Sequence, residues 1–309
     1  MRLAVVAARP VTAEVLAVDF RHPRRPTLPP WTPGAHVDLR LPDGRVRQYS
    51  LCGDPDDLSF YRVAIKREED GRGGSRWAHD NLVAGAAALV SAPRNNFPLA
   101  ATATRHILVA GGIGVTPMLP MARALAARGA DFTLHHCARA RRLAPLIDEL
   151  EQICGPRLRR WFAADGARFD PAMIGAPDAN THVYACGPRR LLDAVQDHAL
   201  AAGWAEGRLH VERFEATSDE NFKPEPFDAR LASTGQVLHV PADQSLLAVL
   251  RAQGFAMASS CELGVCGACV CGYRDGVVIH RDQVLAVEAR QDRMTPCVSR
   301  ARVGVTLDL

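Results

Sequence analysis

The sequence predicts a multidomain chain: an antiparallel β-barrel, then an α/β domain on a parallel sheet, then a small domain carrying a cysteine-rich loop. Three observations lead there. Up to about Leu99 the chain runs in short alternating segments broken by turn residues. From Arg105 the rhythm changes to strand, helix, strand. After a polar, proline-bearing stretch, the segment 261–271 reads CELGVCGACVC. The boundaries expected from these changes are 1–99, 100–214, a linker over 215–226, and 227–309.

In the first segment, apolar and polar residues alternate over 4–6, 11–18, 35–41, 45–51, 59–66 and 88–91, as half-buried strands require. The first 20 residues read as a strand pair, and Asp43-Gly44 between two runs is a hairpin turn. Many short strands with one brief helical stretch over 76–82 point to a small antiparallel barrel. The second segment predicts strands over 106–110, 132–136, 159–163, 182–185 and 209–213, and helices over 117–128, 144–153 and 189–202. Strands alternating with helices of about ten residues imply a parallel sheet covered on both faces. Residues 215–226 (EATSDENFKPEP) have linker composition. The last segment predicts a hairpin (229–231 and 237–240, turning at Ser233-Thr234-Gly235), a helix capped by Asp243, the cysteine loop, and a closing strand over 303–309.

Composition excludes several classes. A net charge of +3 and 6% aromatic residues are far from the concentrated basic, aromatic face that binds nucleic acid. The apolar runs are too short to cross a bilayer, and the N-terminus has no continuous apolar signal core. A soluble, cytoplasmic protein is expected. Nine cysteines without an export signal argue for reduced thiols and metal ligation rather than a disulfide frame. The chain shows no internal repeat.

The chemistry concentrates in four places. In the α/β domain, LVAGGIGVTPM (108–118) is a buried strand, a glycine turn and a helix start, with Thr116 as expected N-cap and Pro117 first in the helix. Gly111, Gly112 and Gly114 would let a phosphate approach the backbone N–H groups, although an ordinary tight turn is the plain alternative. Ala185-Cys186-Gly187-Pro188 also lies between a strand and a helix, on the same carboxyl edge, where open α/β sheets bind ligands. Arg139, in a stretch (136–142, HCARARR) rich in arginine, could accept a 2′-phosphate. In the barrel, Arg47 and Tyr49 share one face of a strand and Ser50 the other. Gly73 and Gly74, in GRGGS (71–75), form an anion nest before a helix.

The spacing C-x4-C-x2-C, with Cys297 downstream, is that of a plant-type [2Fe-2S] ferredoxin. Two iron ions bridged by sulfide need four thiolates, so Cys261, Cys266, Cys269 and Cys297 are the candidate ligands. A four-cysteine zinc site is the alternative, but zinc usually takes two C-x2-C pairs. Cys271 is expected as a buried small side chain on a strand, pointing the same way as Cys269.

Together RQYSL, AIKRE, GRGGS, VSAPRNNFPL, LVAGGIGVTPML, YACGP, CELGVCGAC and CVSRA resemble the phthalate dioxygenase reductase family, which includes vanillate O-demethylase reductases. The resemblance covers nearly the whole chain. It implies FMN in the barrel, NADH, or NADPH, on the parallel-sheet domain, and a β-grasp ferredoxin domain at the end. It further implies that Arg47, Gly73, Gly74 and Ser75 hold the FMN phosphate, with Tyr49 and Ser50 against the isoalloxazine ring. Ala64, Ile65 and Lys66 would line the flavin edge, and Phe214 would cover its other face. Gly111, Gly112, Gly114, Arg139, Cys186, Gly187 and Pro188 would hold the nucleotide, and Ser50, Thr116 and Cys186 would surround hydride transfer.

The implied activity is a flavin-dependent NAD(P)H oxidoreductase, monomeric, passing electrons to a terminal oxygenase. Within the family that oxygenase is most often a Rieske non-haem iron enzyme acting on an aromatic or small organic substrate. The alternatives are a haem monooxygenase or other acceptor, and a non-catalytic redox or metal-binding module. Residues 227–309 hold eight arginines against eight acidic residues. That neutrality suits a ferredoxin tethered to its donor, for which charge steering is unnecessary.

Overall fold

A computed structural model describes residues 1–71, 73–215 and 222–309. The chain divides into two compact units, Met1–Arg213 and Phe214–Leu309. The first contains both the barrel and the parallel sheet. Of the expected linker, residues 216–221 lie outside the described residues, as does Arg72 of the glycine nest.

The barrel comprises β1 (Arg2–Pro10), β2 (Val15–Arg21), β3 (Ala35–Arg40), β4 (Val46–Ser50), β5 (Tyr61–Lys66), α1 (Gly74–Asn81), β6 (Ala87–Val90) and a short β7 (Arg94–Asn95). Its strands pair antiparallel in the order β4-β3-β6-β1-β2-β5, with β7 on β3. A bridge between Leu51 and Val63 brings the β4 end against β5 and closes the sheet. Strand alternation sends Val5, Phe20, Leu39, Tyr61 and Ile65 into a dry interior; each such side chain contributes about 1.5–3 kcal/mol. The Asp43-Gly44 hairpin forms as the dipeptide dictates. Gly44 sits at φ 84°, its N–H donates to the Leu41 carbonyl, and Asp43 accepts from the Arg45 N–H at 3.0 Å.

The parallel sheet has the order β10-β9-β8-β11-β12. Its strands are β8 (Arg105–Gly111), β9 (Asp131–Ala138), β10 (Leu158–Phe162), β11 (Thr181–Cys186) and β12 (Leu209–Glu212), and its helices α2 (Val115–Ala127), α3 (Ile147–Cys154) and α4 (Arg189–Ala201). The β11 side chains are buried throughout, as expected of a strand covered on both faces. Chain order reverses at β8, so the ends of β8 and β11 flank the switch point where ligands bind. Barrel and sheet share a core: Val15, Cys52, Ala64 and Phe97 pack with Met118 and Leu119 of α2.

The second unit is a mixed sheet in the order β14-β13-β17-β15-β16, from β13 (Phe227–Leu231), β14 (Val237–Val240), β15 (Cys271–Ile279), β16 (Arg293–Met294) and β17 (Arg300–Leu307). The central β13 and β17 run parallel, and α5 (Leu246–Ala252) packs its leucines on the same core. This is the β-grasp arrangement.

Four local expectations are corrected. Thr116 is not an N-cap: the turn Gly112–Gly114 runs straight into α2, whose N-cap is Gly114, and the Thr116 hydroxyl donates back to the Ile113 carbonyl at 3.0 Å. Pro117 therefore falls inside the first turn rather than at its start. Asp243 does not cap α5. The extended residue is Ser245, whose hydroxyl accepts from the Ala248 N–H at 3.2 Å, because a turn closed by Gln244 onto the Pro241 carbonyl separates Asp243 from the helix. The last strand of the parallel sheet, β12, stops at Glu212, one residue short of the expected 209–213. Cys271 is buried with Leu231, Tyr273 and Met294, but Cys269 precedes β15, so strand alternation does not relate the two.

Candidate functional site

The first constellation gathers at the N-terminus of α1. Gly73, the N-cap, has φ 80°, and Arg45 and Arg76 guanidinium nitrogens approach within 3.7–3.9 Å of where its side chain would begin. The Arg47 side chain crosses directly over Gly74, so closely that any Cβ there would collide with it. Ser75 turns its hydroxyl to accept from the Glu68 N–H at 3.0 Å. A guanidinium laid over free backbone N–H groups at a helix start is a phosphate cradle, so these residues fit the phosphate of an FMN. Tyr49, on the same strand face as Arg47, packs against the barrel core, and burial pushes its hydroxyl up to about 12.

Along the neighbouring strand, Ala64 faces the core shared with α2, and Ile65 points into the barrel while its carbonyl is held by His79 Nε2 at 2.8 Å. Lys66 pairs with Glu68 at 2.7 Å. The strand places alternate residues on opposite faces, so the Ile65 side chain lies in the barrel core while Ala64 faces α2.

The second constellation is where the two strand-to-helix turns of the parallel sheet meet. A Cβ on Gly114 would collide with the Cys186 carbonyl. One on Gly111 would come within 2.6 Å of Pro188, and one on Gly187 within 2.8 Å of the Gly111 backbone. The glycines let two backbone turns touch and leave their N–H groups on one carboxyl edge. Gly112, at φ 52°, has open space around it. The turns fit the backbone approach of a pyrophosphate.

A residue the sequence reading missed ties barrel to sheet. Glu212, on β12 in register with Cys186, accepts a hydrogen bond from Ser50 of β4. Its Oε2 is buried and has no hydrogen-bond partner among the described residues. Burial raises the Glu212 carboxyl to about 8, the Ser50 bond pulling weakly the other way. Burial likewise holds the Cys186 thiol well above its ordinary range, with the Glu212 charge adding to the effect. Cys186 stays a protonated thiol rather than a nucleophile. Thus Ser50 and Cys186 converge on Glu212, and Thr116, 2% exposed, lies two residues beyond the Gly114 contact with Cys186. The one sequence signal for Glu212 was a carboxylate closing a strand of the parallel sheet.

Arg139 is exposed at the end of β9, its carbonyl accepting from the Ala164 N–H. Phe214 is 36% exposed.

The third constellation is the cysteine loop of the second unit. Residues 259–270 form neither helix nor strand. Glu262 takes φ 55°, unusual for a side-chain-bearing residue, and is held there by Arg251 Nη1 at 2.8 Å and the Ser259 hydroxyl at 2.9 Å. Gly264 (φ 74°) and Gly267 (φ 70°) make the other bends, and a Cβ on Gly264 would press on Val298 at 2.6 Å. That contact lays the loop on the turn carrying Cys297, so that Cys269 Sγ and Cys297 Sγ lie 3.3 Å apart. Their mutual hydrogen bond holds Cys269 below and Cys297 above the usual thiol range. Backbone N–H groups aim at the sulfurs: Leu263 at Cys261 (3.3 Å) and Cys261 at Cys266 (3.5 Å). All nine cysteines are free. The pairs Cys269–Cys297 and Cys261–Cys266, the second with backbone N–H donors on its sulfurs, supply the soft ligands that an iron–sulfur cluster takes. Burial lifts the Cys271 thiol to about 12, in keeping with a core side chain.

Comparison with known proteins agrees with this geometry. Residues 229–302 match the family described as 2Fe-2S iron-sulfur cluster binding domain. The chain is 42% identical to a vanillate O-demethylase oxidoreductase from a Pseudomonas species, over 99% of this chain and 98% of the relative. A solved structure of phthalate dioxygenase reductase, described as modular for electron transfer from pyridine nucleotides to [2Fe-2S], superposes with a TM-score of 0.79 at 36% identity. It covers 100% of this chain and 98% of that one. An intact type IV self-sufficient cytochrome P450 monooxygenase matches at TM-score 0.86 and 38% identity, over 100% of this chain but only 41% of that one. The chain belongs to the phthalate dioxygenase reductase family of oxidoreductases.

Proposed function

We propose that this chain is the reductase component of an oxygenase system, oxidising NADH and passing the electrons through FMN and a [2Fe-2S] cluster to a Rieske-type terminal oxygenase. It would act as a cytoplasmic monomer. The observation that carries the reading is the juxtaposition in one unit of a phosphate cradle on the barrel and a glycine-lined nucleotide edge on the sheet, bridged by Ser50 and Glu212. FMN supplies the two-electron to one-electron conversion, and the cluster supplies a one-electron exit.

The chain's own residues position these groups. Arg47, Gly73, Gly74 and Ser75 would anchor the FMN phosphate, with Tyr49 and Ser50 beside the ring. The turns at Gly111–Gly114 and Cys186–Pro188 would hold the dinucleotide so that its nicotinamide meets the ring near Thr116. Glu212, protonated below about pH 8, keeps that junction free of fixed negative charge and orients the Ser50 hydroxyl. Cys261, Cys266, Cys269 and Cys297 would ligate the cluster.

The test is an anaerobic absorption spectrum of the reconstituted protein. Flavin and iron–sulfur bands that bleach on NADH support the reading, whereas coloured protein whose spectrum NADH leaves unchanged would refute it. The likeness to a self-sufficient cytochrome P450 favours a haem monooxygenase as second acceptor. NADH consumption coupled to product with each oxygenase class separates the two.

A further inference from the structure

Arg141, just past β9, and Arg160, on β10, bear on how this edge would distinguish NADH from NADPH. Ala138 and Phe162 are register partners at the carboxyl ends of these neighbouring strands. Around this end of the sheet Arg141, Arg160, Phe162, Asp165 and Ala167 line a cavity of about 320 Å³. The sheet order puts this cavity on the opposite side of the β8 glycine turn from Cys186. A dinucleotide whose pyrophosphate lies over that turn therefore has its nicotinamide half at Cys186 and its adenosine half here.

An arginine beside the adenosine ribose ordinarily selects a 2′-phosphate. Here both guanidiniums are engaged. Arg141 reaches Glu151 Oε1 at 2.5 Å and Asp148 Oδ1 at 2.7 Å, and Arg160 reaches the same Glu151 oxygen at 2.7 Å. Glu151 thus bridges the two arginines from α3. The two guanidiniums hold its carboxyl down to about 2, so it is ionised at any physiological pH. Both lining arginines are thus already paired with carboxylates from α3, and Asp165 adds a further carboxylate to the wall.

We infer that this cavity is the adenosine-ribose subsite and that Glu151, by occupying Arg141 and Arg160 together, is the residue that excludes NADPH in favour of NADH. The inference rests on the nucleotide reading proposed above. Its core is a latent 2′-phosphate site, complete in its arginines and closed by one carboxylate.

The test compares wild type, Glu151→Gln, and the double variant Glu151→Gln with Arg141→Gln, all flavin-loaded, using a dye that accepts from the flavin. Calorimetric binding of 2′,5′-ADP and 5′-AMP gives a readout independent of turnover. In Glu151→Gln, kcat/KM for NADPH and affinity for 2′,5′-ADP should rise about tenfold, because a charge-assisted arginine–phosphate bond replaces the carboxylate. NADH and 5′-AMP should change by less than about twofold, and the double variant should lose the gain. An unchanged ratio of 2′,5′-ADP to 5′-AMP affinity in folded Glu151→Gln would overturn the inference, as would wild type that uses NADPH as well as NADH. Flavin-loaded wild type that oxidises neither nucleotide would instead overturn the underlying function.

Discussion

The two compact units build their sites by opposite means. In the unit Met1–Arg213 the functional edge is a product of packing: Gly111, Gly114 and Gly187 exist as glycines because two backbone turns press together, and Ser50 meets Glu212 because barrel and sheet share a core. In the unit Phe214–Leu309 the site is a loop without regular structure, bent at Glu262, Gly264 and Gly267 and tied by Arg251, whose purpose is to aim four sulfurs. Tightly packed interiors tolerate no added atom. A ligand loop tolerates substitution of its exposed residues but not of a ligand, because the metal supplies the cohesion that packing supplies elsewhere.

The sharpest way to break this contrast is Cys266→Ser. It should lower oxygenase-coupled turnover by at least about a hundredfold, while NADH-driven reduction of a flavin-accepting dye stays near wild type. Loss of both activities in folded, FMN-loaded protein would show that the two sites are not separable.

Gly114→Ala should act on the other unit and through stability. A methyl group there meets the Cys186 carbonyl, a backbone atom that cannot swing aside, so the cost is about 3 kcal/mol. Thermal unfolding of the first unit should fall by roughly 5–10 °C, with the iron–sulfur spectrum unaltered. An unchanged melting temperature would mean the two turns are not in contact.

Glu212→Gln is the gentlest test. Because burial raises the Glu212 carboxyl from 4.5 in the unfolded chain to about 8 in the fold, the folded state binds the extra proton. Its contribution is fully present below about pH 4.5 and is lost as pH rises toward 8. Wild type should therefore lose on the order of 5 kcal/mol from this group across that window. Glu212→Gln, which cannot ionise, should flatten the curve there in a chemical-denaturation series. An identical pH dependence in both proteins would show that Glu212 ionises freely.

Much of this was legible in the sequence because it rests on local rules. Asp43-Gly44 turns because few other dipeptides accept the backbone required. The C-x4-C-x2-C spacing announces a cluster loop because few other purposes need it, and the switch from alternating to helix-interrupted runs marks the passage from barrel to parallel sheet. The errors were also local. Thr116 has the composition of a cap, yet the preceding glycine turn already carries the helix start; Asp243 yielded to Ser245 because a turn intervened.

What the sequence by itself determined, then, is which residues carry chemistry: arginine, glycine and cysteine at spacings that suit phosphate, pyrophosphate and iron. Only the tertiary structure decided which of them meet. Glu212 finds Ser50 across 162 positions of chain, and Glu151 takes the guanidiniums of Arg141 and Arg160. Such pairings depend on how distant elements close on one another, and charge and burial at a point in space are not properties of any local stretch.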